Sequence, residues 1–297
     1  MSVDAGPDVG DVRDVEALAR PIGPRLPPAR DVRIPAGTLR VRELPGPPGA
    51  PVVVLLHGWN ATADLNFFAC YRSLGEHARV IAFDQRGHGH GVRSRRAFTL
   101  EDCADDVACV LDALGVERAV PIGYSMGGAV AQLVWHRHRE RTRGLVLVAT
   151  AGRFSDRREE RLSFLGVSSL AVLARLTPVQ ARNWLSSQLY RRRRTGDWSE
   201  WALRELAEHD WRMILEAGGA LGRFRSDGWI RRIDVPTAVV VPSGDEVVPV
   251  LRQHLLAELI PGARQFDVDA GHDAAVAAPR RFVPVLLDAL AWASTRP

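Results

Sequence analysis

Three residues of this chain have types and settings suited to nucleophilic chemistry together. They are Ser125, flanked by glycines in "GYSMG", His272 in "DVDAGHD", and Asp245 in "VPSGDEVVP". A neutral serine hydroxyl is a poor nucleophile, so it needs a base to take its proton and a further group to orient that base. The expected chemistry is acyl transfer, with Ser125 as nucleophile, His272 as base and Asp245 holding the imidazole. Such a reaction also needs donors for the tetrahedral oxyanion. The expected donors are the backbone N–H groups of Met126, directly after the serine, and of Trp59 in "HGWNATAD". His57 is expected to brace that loop and not to act as a second base. Taken singly, Asp245 reads as the end of a turn, His272 as a cap, and Gly-x-Ser-x-Gly as a chance pattern. Together they favour the functional reading. Asp267, Asp269 and Asp273 are rival acids, because they lie near His272 in sequence.

Positioning these groups requires a particular scaffold. Short apolar runs occur at Val52 to His57, Arg79 to Asp84, Ala119 to Tyr124, Gly144 to Thr150 and Pro236 to Val241, with a more polar one at Arg264 to Asp269. Continuous apolar runs are expected of strands buried on both faces, hence of a mostly parallel sheet with helices on each side. "LEDCADDVACVLDALG" carries Cys103, Val107, Val110, Leu111 and Leu114 at helical spacing, with acids near its start and Gly115 at its end. The alternation specifies an α/β fold. "DVRIPAGTLRVREL" reads as a hairpin ahead of it. The serine falls where a buried strand gives way to a helix, the setting of a nucleophile elbow. Asp245 and His272 fall just past the last two strands, at the carboxyl edge where open α/β sheets place their sites.

The expected organisation is a tail or strap over residues 1–30, a core over 31–152 plus 234–297, and a helical insertion over 153–233. The insertion offers no strand candidate and holds Trp184, Trp198, Trp201, Trp211 and Trp229. Those tryptophans would line an apolar pocket or, more commonly, pack helices together. The arginine run from Arg191 to Arg194 reads as a solvated helix end, with an anionic headgroup or acyl-CoA phosphate as the sharper alternative.

Composition narrows the class. The chain has 297 residues, 46% hydrophobic and 25% charged, as in globular proteins with a large core. Its net charge of +4 comes with no lysine, all 39 basic residues being arginine, and argues against a nucleic-acid surface without clustering on one face. Cys70, Cys103 and Cys109 form neither an even disulfide set nor a metal-binding pair. Acidic residues stand near the N-terminus where a signal peptide would carry positive charge, and no run is long enough for a membrane span. The expected setting is cytoplasmic, with a small-molecule partner and no nucleic acid, metal or organic cofactor.

In order and spacing, "LLHGWNAT", "VIAFDQRGHGHG", "PIGYSMGG", "VPSGDEVVP" and "AGHD" resemble the α/β-hydrolase fold family. The resemblance covers about Val52 to Thr150 and Pro236 to the C-terminus. It implies that the insertion is a cap over the pocket and that Asp84, Arg86 and His88 are structural support. Serine at the elbow disfavours relatives with an aspartate nucleophile. The resulting expectation is a serine hydrolase of a small or medium carboxylic ester. Alternatives are a thioesterase, a carbon–carbon bond hydrolase, or a hydrolase-like receptor with little turnover.

Overall fold

The structure, a computed structural model, describes residues 23–155, 164–166, 169–170 and 199–295. Most of the expected tail, Trp184, Trp198 and the Arg191 to Arg194 run lie outside the described residues. The framework is an eight-stranded sheet in the order β1-β2-β4-β3-β5-β6-β7-β8. The strands are β1 (Ala29–Ile34), β2 (Gly37–Leu44), β3 (Val52–Leu56), β4 (Arg79–Phe83), β5 (Val120–Tyr124), β6 (Leu145–Val148), β7 (Thr237–Pro242) and β8 (Arg264–Val268). β1 and β2 form the expected antiparallel hairpin, and β2 pairs antiparallel with β4. The remaining pairings are parallel. β1 starts at Ala29, so the sheet begins two residues inside the span assigned to the tail.

The inner strands β3, β5, β6 and β7 are almost wholly apolar because both of their faces are covered, whereas the edge strand β8 carries polar residues and is mostly exposed. Val54 and Leu56 of β3, Leu145 and Leu147 of β6, and Val239 and Val241 of β7 enter one core. Val53 and Leu55, Val146 and Val148, and Ala238 and Val240 enter the other. The first core is closed by α3 (Leu100–Ala113), α4 (Met126–Arg137), α6 (Trp211–Arg223) and α7 (Val250–Leu259). The second is closed by α1 (Ala63–Phe67), α2 (Tyr71–Gly75), α8 (Ala274–Ala277) and α9 (Pro279–Ala293). Helix starts follow side-chain chemistry: Thr62 accepts from the Leu65 N–H and Thr99 from the Asp102 N–H.

Between β6 and β7 the described chain carries α5 (Ser199–Ala207) and α6. Asp210 caps α6 by accepting from the N–H groups of Arg212 and Met213. The described tryptophans of this region pack against other rings. Trp201 meets Phe68 at 5.7 Å, Trp211 meets His209 at 5.9 Å, and Trp229 stacks on His136 at 4.3 Å. Among the described residues no helix is long and apolar enough to cross a membrane.

Candidate active site

Ser125 stands between β5 and α4 with φ 53° and ψ −115°, a region that non-glycine residues rarely occupy. The turn is held by the Ser125 N–H on the Val148 carbonyl at 2.8 Å and by the Thr150 hydroxyl on the Ser125 carbonyl at 2.8 Å. Its glycines are steric necessities. A Cβ on Gly123 would lie 2.2 Å from the Gly127 carbonyl oxygen, and one on Gly127 would lie 2.0 Å from that of Leu56. Met126 is the first residue of α4, so its N–H has no acceptor within the helix and sits at the positive end of the helix dipole.

Asp245 and His272 approach from the ends of β7 and β8. His272 Nδ1 meets Asp245 Oδ2 at 2.8 Å, and the Asp245 side chain is fully buried while that of His272 is 23% exposed. The N–H groups of Val247 and Val248 both donate to Asp245 Oδ1 at 2.9 Å. The Tyr124 hydroxyl donates to the His272 carbonyl at 2.5 Å, and the two rings lie edge to face at 6.0 Å. The residue next to the serine thus ties its turn to the histidine loop. The rival acids are placed elsewhere: Asp267 accepts from Gln265 at 2.8 Å and Asp269 pairs with Arg281 at 2.6 Å. Asp273 is the N-cap residue of α8.

The loop after β3 runs past the serine, since a Cβ on Gly58 would sit 3.4 Å from Ser125 Cβ. Asn66 Oδ1 accepts the Gly58 N–H at 2.7 Å, and the Trp59 indole donates to the Ile214 carbonyl of α6 at 2.8 Å. His57 is committed to this loop. Its Nε2 accepts the Gln85 N–H at 2.8 Å, so the proton is on Nδ1, 2.8 Å from the Gly58 carbonyl oxygen.

Behind that loop lies a buried polar layer. Arg86 grips Asp106 of α3 through Nε at 2.5 Å and Nη2 at 2.9 Å. Asp84 accepts the N–H groups of Ala63 and His90, each at 2.8 Å. Burial works to raise the Asp84 carboxyl, but hydrogen bonds from His90, the nearby His57 and the Ala63 N–H outweigh it, bringing it to about 2. The rings of His57 and His88 are 4.9 Å apart, and those of His88 and His209 are 5.4 Å apart. Burial lowers all three imidazoles from the ordinary histidine value, His88 well below it and His209 to about 3.

A pH dependence of stability follows. Below about 6.5 the unfolded chain binds protons at these histidines that the folded chain does not, so stability falls as pH falls, by up to about 1.4 kcal/mol per pH unit for each. For His209 the window extends down to about 3. The denaturation midpoint is expected to drop between pH 7 and pH 5, and His209→Gln to flatten that slope. A midpoint constant over this range would contradict the assignment.

The fold agrees with the comparisons. A family model described as "alpha/beta hydrolase fold" matches residues 51–279. The chain belongs to the α/β-hydrolase family. A poly(3-hydroxyalkanoate) depolymerase of Ectopseudomonas oleovorans is 26% identical to this hydrolase over 268 residues, 87% of this chain and 90% of that protein. The enol-lactonase structure from Burkholderia xenovorans LB400 superposes with a TM-score of 0.71 at 25% identity, over 88% of this chain and 100% of that one. A hydrolase structure from Pseudomonas aeruginosa PA01 shares the fold with a TM-score of 0.74 at 23% identity, over 88% of this chain and 98% of that one.

Sequence reading of this hydrolase missed several residues around the candidate site. Tyr124, Asn66 and His209 act through contacts made only in three dimensions, as does Gln253, whose amide meets Asp245 at 2.9 Å. Tyr124 alone carried a signal, its place beside the serine.

Proposed function

We propose that this hydrolase is a serine esterase acting on small or medium carboxylic esters, with 153–233 as a cap over its pocket. The Ser125 Oγ attacks the ester carbonyl while His272 Nε2 takes its proton, and Asp245 Oδ2 stabilises the imidazolium through Nδ1–H. The N–H groups of Met126 and Trp59 receive the oxyanion. Collapse of the tetrahedral intermediate breaks the acyl–oxygen bond, and His272 returns the proton to the leaving alcohol. Water, deprotonated by His272, then releases the acid from Ser125. The observation that carries this reading is the 2.8 Å His272–Asp245 pair at the ends of β7 and β8. It is supported by the strained turn at Ser125, and a depolymerase of a poly(3-hydroxyalkanoate) and an enol-lactonase among similar proteins favour an acyl–oxygen bond as target. A reduced cytoplasmic setting belongs to the same proposal and is supported by three free cysteines.

The test is a series of p-nitrophenyl esters of increasing acyl length, followed by trapping with a fluorophosphonate and peptide mass mapping. Turnover with an optimum acyl length and label on Ser125 are the expected results. Turnover of acyl-CoA with none of any oxygen ester would replace this reading with a thioesterase. Labelling at a different residue would overturn the assigned nucleophile.

A further inference from the structure

Gln253 is fully buried on α7, eight positions after Asp245. Its amide nitrogen donates to Asp245 Oδ2 at 2.9 Å and to the Val248 carbonyl at 2.8 Å. Oδ2 is also the oxygen that meets His272 Nδ1, while Oδ1 takes the N–H groups of Val247 and Val248. The carboxylate therefore accepts four N–H donors, two on each oxygen. The turn that presents Asp245 is clamped to the helix that follows it, because one amide group bonds both the acid and Val248.

The sharing of Oδ2 has an electrostatic consequence. Each donor on a carboxylate oxygen draws on the same negative charge, so the Gln253 amide reduces what Oδ2 offers to a protonated imidazole. We propose that Gln253 is a positioning residue for the acid–base pair, fixing the carboxylate plane toward His272 and moderating its hold on the imidazolium. The inference rests on the catalytic reading given under Proposed function. A moderated hold matters because His272 must surrender its proton to the leaving alcohol as well as take it from Ser125.

Other titratable groups stand against the imidazole, beside the pair in the chain, or behind Tyr124. Asp273 follows it in the chain, and Glu246 follows Asp245. Tyr124 lies edge-on to it, and burial, the largest influence, raises this phenol above its ordinary value and keeps it neutral in the assay range. Cys70, pushed up to about 12 by burial, is neutral as well. None of these is altered by substitution at position 253.

The experiment compares kcat/KM against pH, from 5 to 9, for the wild type, Gln253→Leu and Gln253→Met. Loss of the donor lets Asp245 hold the imidazolium more tightly, so the acid limb is expected to move up by about half a pH unit or more. On the alkaline plateau of the profile the loss in kcat/KM is expected to be smaller than on its acid side. A limb unchanged in position, with kcat/KM lowered equally at every pH, would show that Gln253 only packs, and would overturn the proposal. Gln253→Met fills the site flexibly and serves where Gln253→Leu fails to fold. A wild type whose activity survives Ser125→Ala would overturn the triad and this inference together. Ser125-dependent activity with an unmoved limb would overturn only the role of Gln253.

Discussion

Ser125→Ala is expected to lower kcat/KM for ester hydrolysis by about 10⁶-fold, the loss seen when a triad nucleophile is removed and only oxyanion donors and binding remain. Folding is expected to survive, since the turn at Ser125 is held through its backbone N–H and carbonyl and not through Oγ. Alanine keeps a Cβ at φ 53° and therefore keeps the backbone strain. Ser125→Gly should be equally inactive yet more stable by about 1 kcal/mol, because glycine tolerates that conformation. Steady-state kinetics and urea denaturation of the two variants separate chemistry from strain. Residual activity within tenfold of the wild type in Ser125→Ala would remove the serine from the mechanism.

Gly127→Ala is expected to have a large effect on stability. The added methyl would meet the Leu56 carbonyl oxygen at 2.0 Å, a backbone atom at the C-terminal end of β3 that has no rotamer in which to escape. The helix carrying Met126 would have to back away from the sheet, at a cost of about 3 kcal/mol or more by overpacking. The expected outcome is a strongly lowered Tm or no soluble protein. Gly228→Ala is the control, since nothing lies within 4 Å of a Cβ there, and its expected effect is within about 0.5 kcal/mol. Equal midpoints for the two variants would contradict the account of the elbow.

These two predictions rest on a part of the molecule that was readable from sequence. The inner strands of the sheet announced themselves because residues such as Val53 and Val54 must satisfy opposite cores, leaving no polar position between them, while the edge strand β8 keeps polar residues on its open side. Their observed ends differ from the apolar runs by one or two residues, as at Gly144 to Thr150, where only Leu145–Val148 pair as strand. The elbow was legible because glycine, serine and glycine at fixed spacing express a steric requirement local to the chain. Asp245 and His272 were legible as residues at strand ends, while their meeting depends on β7 and β8 lying side by side.

What escaped had no local signature. Gln253 sits in "VLRQHLLAEL" as an unremarkable helix residue, and only the return of α7 beneath the acid loop makes it a partner of Asp245. The Trp59 indole finds Ile214 across 155 positions, a contact that periodicity does not encode. The tryptophans of the insertion were readable as pocket lining or as packing. The described ones, Trp201, Trp211 and Trp229, lie against other rings.

The attachment of α6 to the core bears on how this enzyme could be recombined. The Trp59 indole reaches Ile214, the Gly89 N–H reaches His209 Nδ1 at 2.9 Å, the Asp210 N–H reaches the Gly87 carbonyl at 2.8 Å, and the Phe98 N–H reaches Glu216 at 2.8 Å. A chimera made by exchanging everything between β6 and β7 with a homologue would take away the His209 and Glu216 side chains from two of these bonds and leave the other two, which end on the backbone of Asp210 and Ile214, to a foreign helix set on loops shaped for this one. A crossover placed after α5, near Glu208, would exchange the front of the insertion and leave α6 with its native partners. The natural module boundary for engineering therefore falls inside the insertion, and α6 travels with the sheet.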